Sequence, residues 1–543
     1  MSGIDEDRAT LHRLGYAQEL RRGLGGFSNF AISFSIISVL SGALLSYWLG
    51  LVTGGPRVIA LGWVIVGFFS MLVGMAMGEI CSAYPTAGGL YYWSAKLARR
   101  NGPRWAWFTG WFNLVGQVGT TASVDYGLAI FIGYFIRLHS PGFRLTAWTV
   151  FGLYAGLLLL HGLLNAFGVR LVKVLGDVSV WWHLAGVAAL VLALTLSSRG
   201  EQRGWAHVLD GQQGVLAGWS GKGFVVVYMF GIGLLLAQFT ITGFDASAHV
   251  SEETVGAARA APTAIVRSIY VSAVAALVLC LAMNKTLPKG DSAYSTIAFG
   301  GPGDAFLVNA APRLFSSALG TGMAKFVILV AIVGQFFCGL ACVTANSRMI
   351  YAFSRDGALP GSRLWHRINR RTRTPTNSIW LAVGLALAVG LVSIYQKGGV
   401  STAFFALTGI CVIGLYLSYA IPIYLRLRTA DFQVGPWHLK GRHRLVGWTA
   451  LGWIAVITVL FVGPVFRPFW PPFGSTVVGA GTAGEVVTYH QNNVNFTGPI
   501  LLLAALGFGL YWTLSGRKWF VGPRPQGTEE ELAALEEQLG DGA

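Results

Sequence analysis

Polar residues in this chain gather into short clusters, separated by long apolar runs nearly free of Asp, Glu, Lys and Arg. A helix needs about 20 apolar residues to cross a hydrocarbon core of roughly 30 Å. Runs of that length recur from Phe27 to Ser515. They predict helices 1–6 over 27–51, 57–80, 105–137, 146–166, 172–197 and 222–249. Helices 7–12 follow over 263–284, 322–352, 377–396, 401–426, 445–464 and 497–515. A soluble core has no use for so many runs of this length, so the fold class is an all-α polytopic membrane protein of about twelve transmembrane helices. The runs over 105–137 and 322–352 exceed a perpendicular crossing, which implies tilt or turns beyond the bilayer.

Composition agrees: 54% of the 543 residues are hydrophobic and 11% charged, where an average soluble domain has roughly 25% charged residues. A net charge of +16 suggests a nucleic-acid partner only until the cations are placed. The richest basic stretches, Arg355 to Arg373 and Arg426 to Arg444, fall on one side if both termini are cytoplasmic. That is the positive-inside bias, and such loops set orientation and meet anionic lipid. The first 26 residues lack an apolar core, so no cleavable signal peptide is expected and helix 1 targets the chain. No separate soluble domain is expected. The segment 1–26 is assigned as a cytoplasmic lead and 27–427 as the core. Residues 428–516 hold helices 11 and 12 with an external loop from Phe466 to Phe496, and 517–543 form a cytoplasmic tail. Glu529, Glu530, Glu531, Glu536 and Glu537 make that tail a short acidic amphipathic helix, expected to be solvated. The five cysteines lie in or at the ends of membrane helices without zinc-site spacing, and read as packing residues. No metal or cofactor is expected. Arg outnumbers Lys, and Ala and Gly abound, which points to a GC-rich bacterial coding sequence and hence a plasma (inner) membrane.

Two helices interrupt the apolar pattern. Helix 1 carries Ser33, Ser35, Ser38, Ser41 and Gly42, and helix 6 carries Thr240, Thr242, Gly243 and Asp245, both near mid-membrane. If helices 1–5 and 6–10 are two repeats, these helices open each one. Broken helices at matching places in two halves are the best sequence pointer to a transporter's site. Small residues that only let helices pack closely are the plainer alternative. Three intramembrane ionisable residues, Glu79, His183 and Asp245, each cost roughly 2.5–3.5 kcal/mol on insertion scales and invite a functional explanation.

Three motifs carry a family resemblance. The run Gly78-Glu79-Ile80-Cys81-Ser82-Ala83-Tyr84-Pro85-Thr86-Ala87-Gly88-Gly89-Leu90-Tyr91-Tyr92-Trp93 resembles the end of helix 2 in the amino acid–polyamine–organocation superfamily. Thr242-Gly243-Phe244-Asp245-Ala246-Ser247-Ala248-His249 with Glu252-Glu253-Thr254 resembles its sixth helix, in the form found in the amino acid/choline transporter branch. Ser347-Arg348-Met349 with Ala352 to Pro360 is similar to that branch's end of helix 8. The resemblance implies a five-plus-five inverted repeat with two added helices, and a substrate held between the breaks of helices 1 and 6. It places the helix 1 break on Leu40, Ser41 and Gly42, with Leu40 where the family has glycine and Ser38 able to supply a hydroxyl. It implies an aromatic gate at Phe239, a site wall at Thr240, Thr242 and Gly243, and selecting side chains at Gln117, Cys342 and Thr408. His183 falls near a point where relatives carry a Lys in place of sodium, and Asp245 where exchangers carry an acid linked to proton gating. Glu79, near the inner end of helix 2, is a third proton candidate or a partner for a basic loop.

Free N–H groups at a half-helix start favour a carboxylate, while released carbonyls favour an ammonium. An α-amino acid supplies both charges. GABA needs wider spacing, and choline wants an aromatic cage. The expectation is a proton-coupled secondary transporter of an amino acid or related small amine, working by alternating access. An exchanger for GABA, choline or polyamine, and a sensor on the same fold, are the alternatives. No H-E-x-x-H pattern or phosphate-binding Gly-rich loop speaks for an enzyme or a primary pump.

Overall fold

A computed structural model describes residues 3–211, 224–300, 309–394, 402–462, 477–480, 486–489 and 497–538. Ten helices in it are long and apolar enough to cross a membrane, and two shorter apolar helices, Val227–Thr240 and Thr376–Gly390, stand where helices 6 and 9 are expected. Each of the twelve expected places therefore holds an apolar helix. Helix 3 extends over Gly102–His139 and helix 8 over Thr321–Arg355, the two lengths that demand tilt. Helix 9 tightens into a 3-10 turn at Leu391–Ile394. The expected helix ends at 222–223, 395–396, 401 and 463–464 lie outside the described residues.

Helix 1 runs as Gly26–Ile36, a non-helical step at Ile37 and Ser38, a π turn Val39–Ala43, and Leu44–Thr53. Helix 6 runs as Phe224–Gly233 and Leu235–Thr240, opens at Ile241 to Asp245, and resumes as Ala246–His249. These two helices lie at the centre. Of helix 1's most apolar stretch 94% is buried, against 17% for helix 12, which stands at the rim. Rim helices turn Phe68, Trp181, Val459 and Leu503 outward, as a lipid-facing surface requires. Helix 3 packs along helix 10 at backbone distance: a Cβ on Gly414 would lie 2.9 Å from Gly116 Cα. Small residues permit such an approach in a membrane, where water exclusion no longer drives association.

Several elements escape the apolar pattern because they are short or amphipathic. Gly89–Leu97 follows the Pro-Thr-Ala-Gly-Gly turn, and Asp291–Phe299 and Ala310–Leu319 join helices 7 and 8. Gly3–Arg13 is a helix in the lead segment. The acidic tail helix forms at Glu529–Gln538, but it is docked rather than solvated. Leu532 is buried, and Glu536 accepts from His12 Nε2 at 2.8 Å and the Gln18 N–H at 2.6 Å and pairs with Arg8. Through Glu536 the helix meets the N-terminal segment, a contact that no local pattern encodes. Within the expected external loop, Val477–Ala480 and Val486–Tyr489 pair as an antiparallel hairpin, and its remainder lies outside the described residues.

Candidate functional site

The helix 1 break is built by Ser38. Its backbone (φ −49°, ψ 112°) leaves the helical region, and its hydroxyl accepts the Ser41 N–H at 3.0 Å, capping the segment that follows. The helix 6 break turns on Gly243, whose φ of +89° favours glycine. The two breaks face each other. A Cβ on Gly42 would lie 2.7 Å from Thr240 Oγ1, and one on Gly243 would lie 2.5 Å from Ile36 Cγ2. Loosened carbonyls find side-chain donors: Cys338 Sγ reaches Ile36 O at 3.3 Å, Tyr416 donates to Ile241 O at 3.0 Å, and Ser33 donates to Phe244 O at 2.9 Å. The Ser41 hydroxyl is buried without a partner among the described residues.

Beneath the helix 6 break, Asp245 is fully buried and heavily bonded. Oδ2 accepts from Asn113 at 3.0 Å and Gln117 at 3.1 Å on helix 3, and Oδ1 from Tyr419 OH at 2.7 Å on helix 10. His249 Nε2 stands 3.2 Å from Oδ2, and the other ring nitrogen, Nδ1, is 3.0 Å from Ala87 O. Gln117, expected to select substrate, is thus engaged with Asp245.

His183 joins helix 5 to the helix 1 break: Nε2 lies 2.6 Å from Ser38 Oγ. Its Nδ1 lies 2.8 Å from the Ser179 carbonyl, which only accepts, so Nδ1 carries the proton and Nε2 accepts from Ser38. The neutral ring is fully satisfied. Leu40 is fully buried, seated where Gly186 and Gly334 make room for it. A Cβ on Gly186 would lie 2.9 Å from Leu40 Cδ1, and one on Gly334 would lie 2.8 Å from the same atom.

Phe239, Thr240 and Thr242 are buried beside the helix 6 break, where Thr240 and Thr242 return their hydroxyls to Leu236 O and Gln238 O. Cys342 is buried one turn beyond Cys338, and Thr408 is buried on helix 10. Glu79 stands apart from the breaks, accepting from Arg426 Nε at 3.1 Å and the Leu439 N–H at 3.2 Å.

Sequence reasoning passed over three buried ionisable side chains, His249, Asp125 and His161. The spacing of Asp245 and His249, one helical turn apart, was a usable signal for the first. Asp125 of helix 3 and His161 of helix 4 approach to 3.0 Å without hydrogen-bond geometry. Gly339 of helix 8 makes room for them: its Cβ would lie 2.6 Å from His161 Cε1. No sequence spacing links those three positions. No group of three or more His, Cys, Asp or Glu among the described residues is placed to hold a metal.

The end bearing both termini is closed by ion pairs. Arg355 grips Glu252 through two bonds of 3.0 and 2.9 Å, and Arg348 Nε meets Glu253 at 2.8 Å. Arg355 also lies 3.8 Å over the Tyr16 ring. Just past helix 8, Asp356 accepts from Tyr16 at 3.0 Å and Tyr91 at 2.9 Å, and burial pushes its carboxyl up to about 6.

Two facing broken helices inside a bundle of membrane-spanning helices define the class, a multi-pass permease. Comparison with known proteins specifies it further. A family model described as amino acid permease matches residues 24–488. The amino-acid permease BAT1 of Arabidopsis thaliana is 40% identical over 539 residues, covering 96% of each chain. Its rice homolog is 37% identical over 541 residues, again covering 96% of each. The GABA-specific permease of Saccharomyces cerevisiae is 30% identical over 95% of this chain and 86% of its own. The chain belongs to the amino acid permease family, within the amino acid–polyamine–organocation superfamily.

Proposed function

We propose that this permease is a proton-coupled secondary transporter, carrying an amino acid or closely related small amine across the plasma membrane by alternating access. The termini-bearing end is the cytoplasmic one in this reading, as the basic stretches there favour. The observation that carries it is the mutual contact of the two breaks, Gly42 on Thr240 and Gly243 on Ile36. Helix starts and loosened carbonyls meet there, beside the Ser41 hydroxyl, which has no partner among the described residues. Such a junction suits a substrate with both a carboxylate and an ammonium. Asp245, at the helix 6 break, is the expected route of coupling to protons, while His183 holds the helix 1 break through Ser38. Glu79, held by Arg426, anchors helix 2 to helix 10.

The identity to a GABA-specific permease favours GABA as a second substrate class to test. The decisive experiment reconstitutes the purified protein in liposomes and follows uptake of labelled amino acids, GABA, choline and polyamines under an imposed proton gradient. Accumulation that collapses with a protonophore is expected. Uptake only against preloaded substrate means an exchanger, and sodium-driven uptake indifferent to pH removes the proton.

A further inference from the structure

The hydrogen bonds of His249 leave one proton that the ordinary charge states of its neighbours do not provide. Its Nδ1 faces the Ala87 carbonyl at 3.0 Å. A carbonyl only accepts, so Nδ1 carries a hydrogen. A neutral imidazole has a single N–H, which leaves Nε2 as a bare lone pair. Yet Nε2 stands 3.2 Å from Asp245 Oδ2. A lone pair facing an ionised carboxylate repels it, and both side chains are fully buried, where a low local dielectric strengthens that repulsion. The contact therefore needs a second proton, shared by this pair.

The surrounding donors say where it sits. Asp245 already accepts from Asn113, Gln117 and Tyr419, an arrangement that favours the carboxylate. That places the proton on Nε2, as an imidazolium donating to Asp245. His183 is the informative contrast, because its two bonds are complete in the neutral ring.

The pair also bridges elements. Asp245 ties the helix 6 break to helices 3 and 10, while His249 ties the same short segment, Ala246–His249, to the turn after helix 2 through Ala87. The charged side chains on the elements packed around the pair are themselves paired. Helix 3 presents the amides of Asn113 and Gln117, and helix 10 presents Tyr419, with Tyr416 and Cys411 close by. Glu252 accepts the Ala87 N–H at 2.9 Å, but Arg355 neutralises it. Arg348 and Glu253 neutralise one another.

Building on the proton-coupled reading, we propose that the coupling proton is held on His249, between Asp245 and Ala87, and that it clamps the inner half of helix 6. Release passes the Nε2 proton to water at the termini-bearing end. It leaves a neutral ring with Nδ1–H and an ionised Asp245, and the Nε2–H···O bond is lost. Loss of the proton and loosening of the inner half of helix 6 are then one event.

The test uses the full chain in vesicles of phosphatidylethanolamine and phosphatidylglycerol, with two readouts. Solid-state nitrogen NMR of labelled histidine reports ring protonation without any substrate. An imidazolium signal at pH 7 that disappears in His249→Gln, and falls in Asp245→Asn, is the expected result. A neutral His249 in the wild type overturns the proposal. Transport is read with a radiolabelled mixture of the twenty amino acids and GABA. His249→Gln is expected to keep exchange against preloaded mixture while losing at least tenfold of its gradient-driven accumulation. Wild-type accumulation in that variant overturns the proposal and leaves the proton-coupled reading standing. If the wild type itself ignores the gradient, the coupling reading falls and this role for the proton falls with it, while the spectrum still decides who holds the proton. Should His249→Gln fail to fold, the wild-type and Asp245→Asn spectra settle the outcome.

Discussion

Gly42 and Thr240, one from each broken helix, meet so closely that a Cβ on Gly42 would stand 2.8 Å from Thr240 Cα. A side-chain clash can rotate away, but a Cα belongs to the backbone of helix 6. Gly42→Ala must therefore push the two breaks apart. Overpacking of this kind costs about 1–3 kcal/mol, and the displaced site is expected to lose most uptake. Thr240→Ala should not rescue it, since the backbone contact remains. Uptake and thermal unfolding of the single and double variants check this.

His183 holds the helix 1 break through Ser38 and is satisfied as a neutral ring. His183→Ala leaves the Ser38 hydroxyl without that partner, a loss of about 1–3 kcal/mol. The apparent affinity is expected to weaken while accumulation still follows the proton gradient. Comparing KM with the gradient dependence of uptake separates the two effects. Loss of gradient dependence at unchanged affinity would assign the coupling to His183 instead.

Asp125 and His161 share a buried site that exists because residue 339 is glycine. Gly339→Ala places a methyl group against both and should lower the melting temperature. Removing one member of a buried pair costs about 3–5 kcal/mol, whereas replacing both with apolar residues is often neutral or stabilising. Asp125→Leu alone should therefore be worse than Asp125→Leu combined with His161→Leu. Melting curves of the purified variants test the order, and equal losses would show that the pair is not coupled.

Asp356 lies at the termini-bearing end, with its carboxyl raised from 3.8 to about 6 by burial. The folded protein then binds this proton more tightly than the unfolded chain does. The stabilisation is fully present below about pH 4 and is lost as pH rises through 6, a difference of roughly 3 kcal/mol across that window. Wild type should gain stability relative to Asp356→Asn as pH falls from 7 to 4. A pH-independent difference between the two melting temperatures would contradict this.

The places of the apolar helices were legible along the chain because a bilayer imposes a local rule, about 20 apolar residues for each crossing, and the motifs made the family legible. The paired polar interruptions at Ser38–Gly42 and Thr240–Asp245 were legible for the same reason, since polar residues stand out within an otherwise apolar run. The partners of those residues were not. Asp245 meets Asn113 and Tyr419, each more than a hundred positions away in sequence. Leu40 fits only because Gly186 and Gly334 lie on other helices, and Glu536 is buried only because the N-terminal segment folds beneath the tail. The proton on His249 depends on Ala87, a backbone carbonyl that any residue at that position would supply. By itself the sequence determined which segments enter the membrane and where two of them break, both set by local composition. Hydrogen-bond partners, tautomers and close approaches depend on distances between remote segments, and these only the tertiary packing of the helices decided.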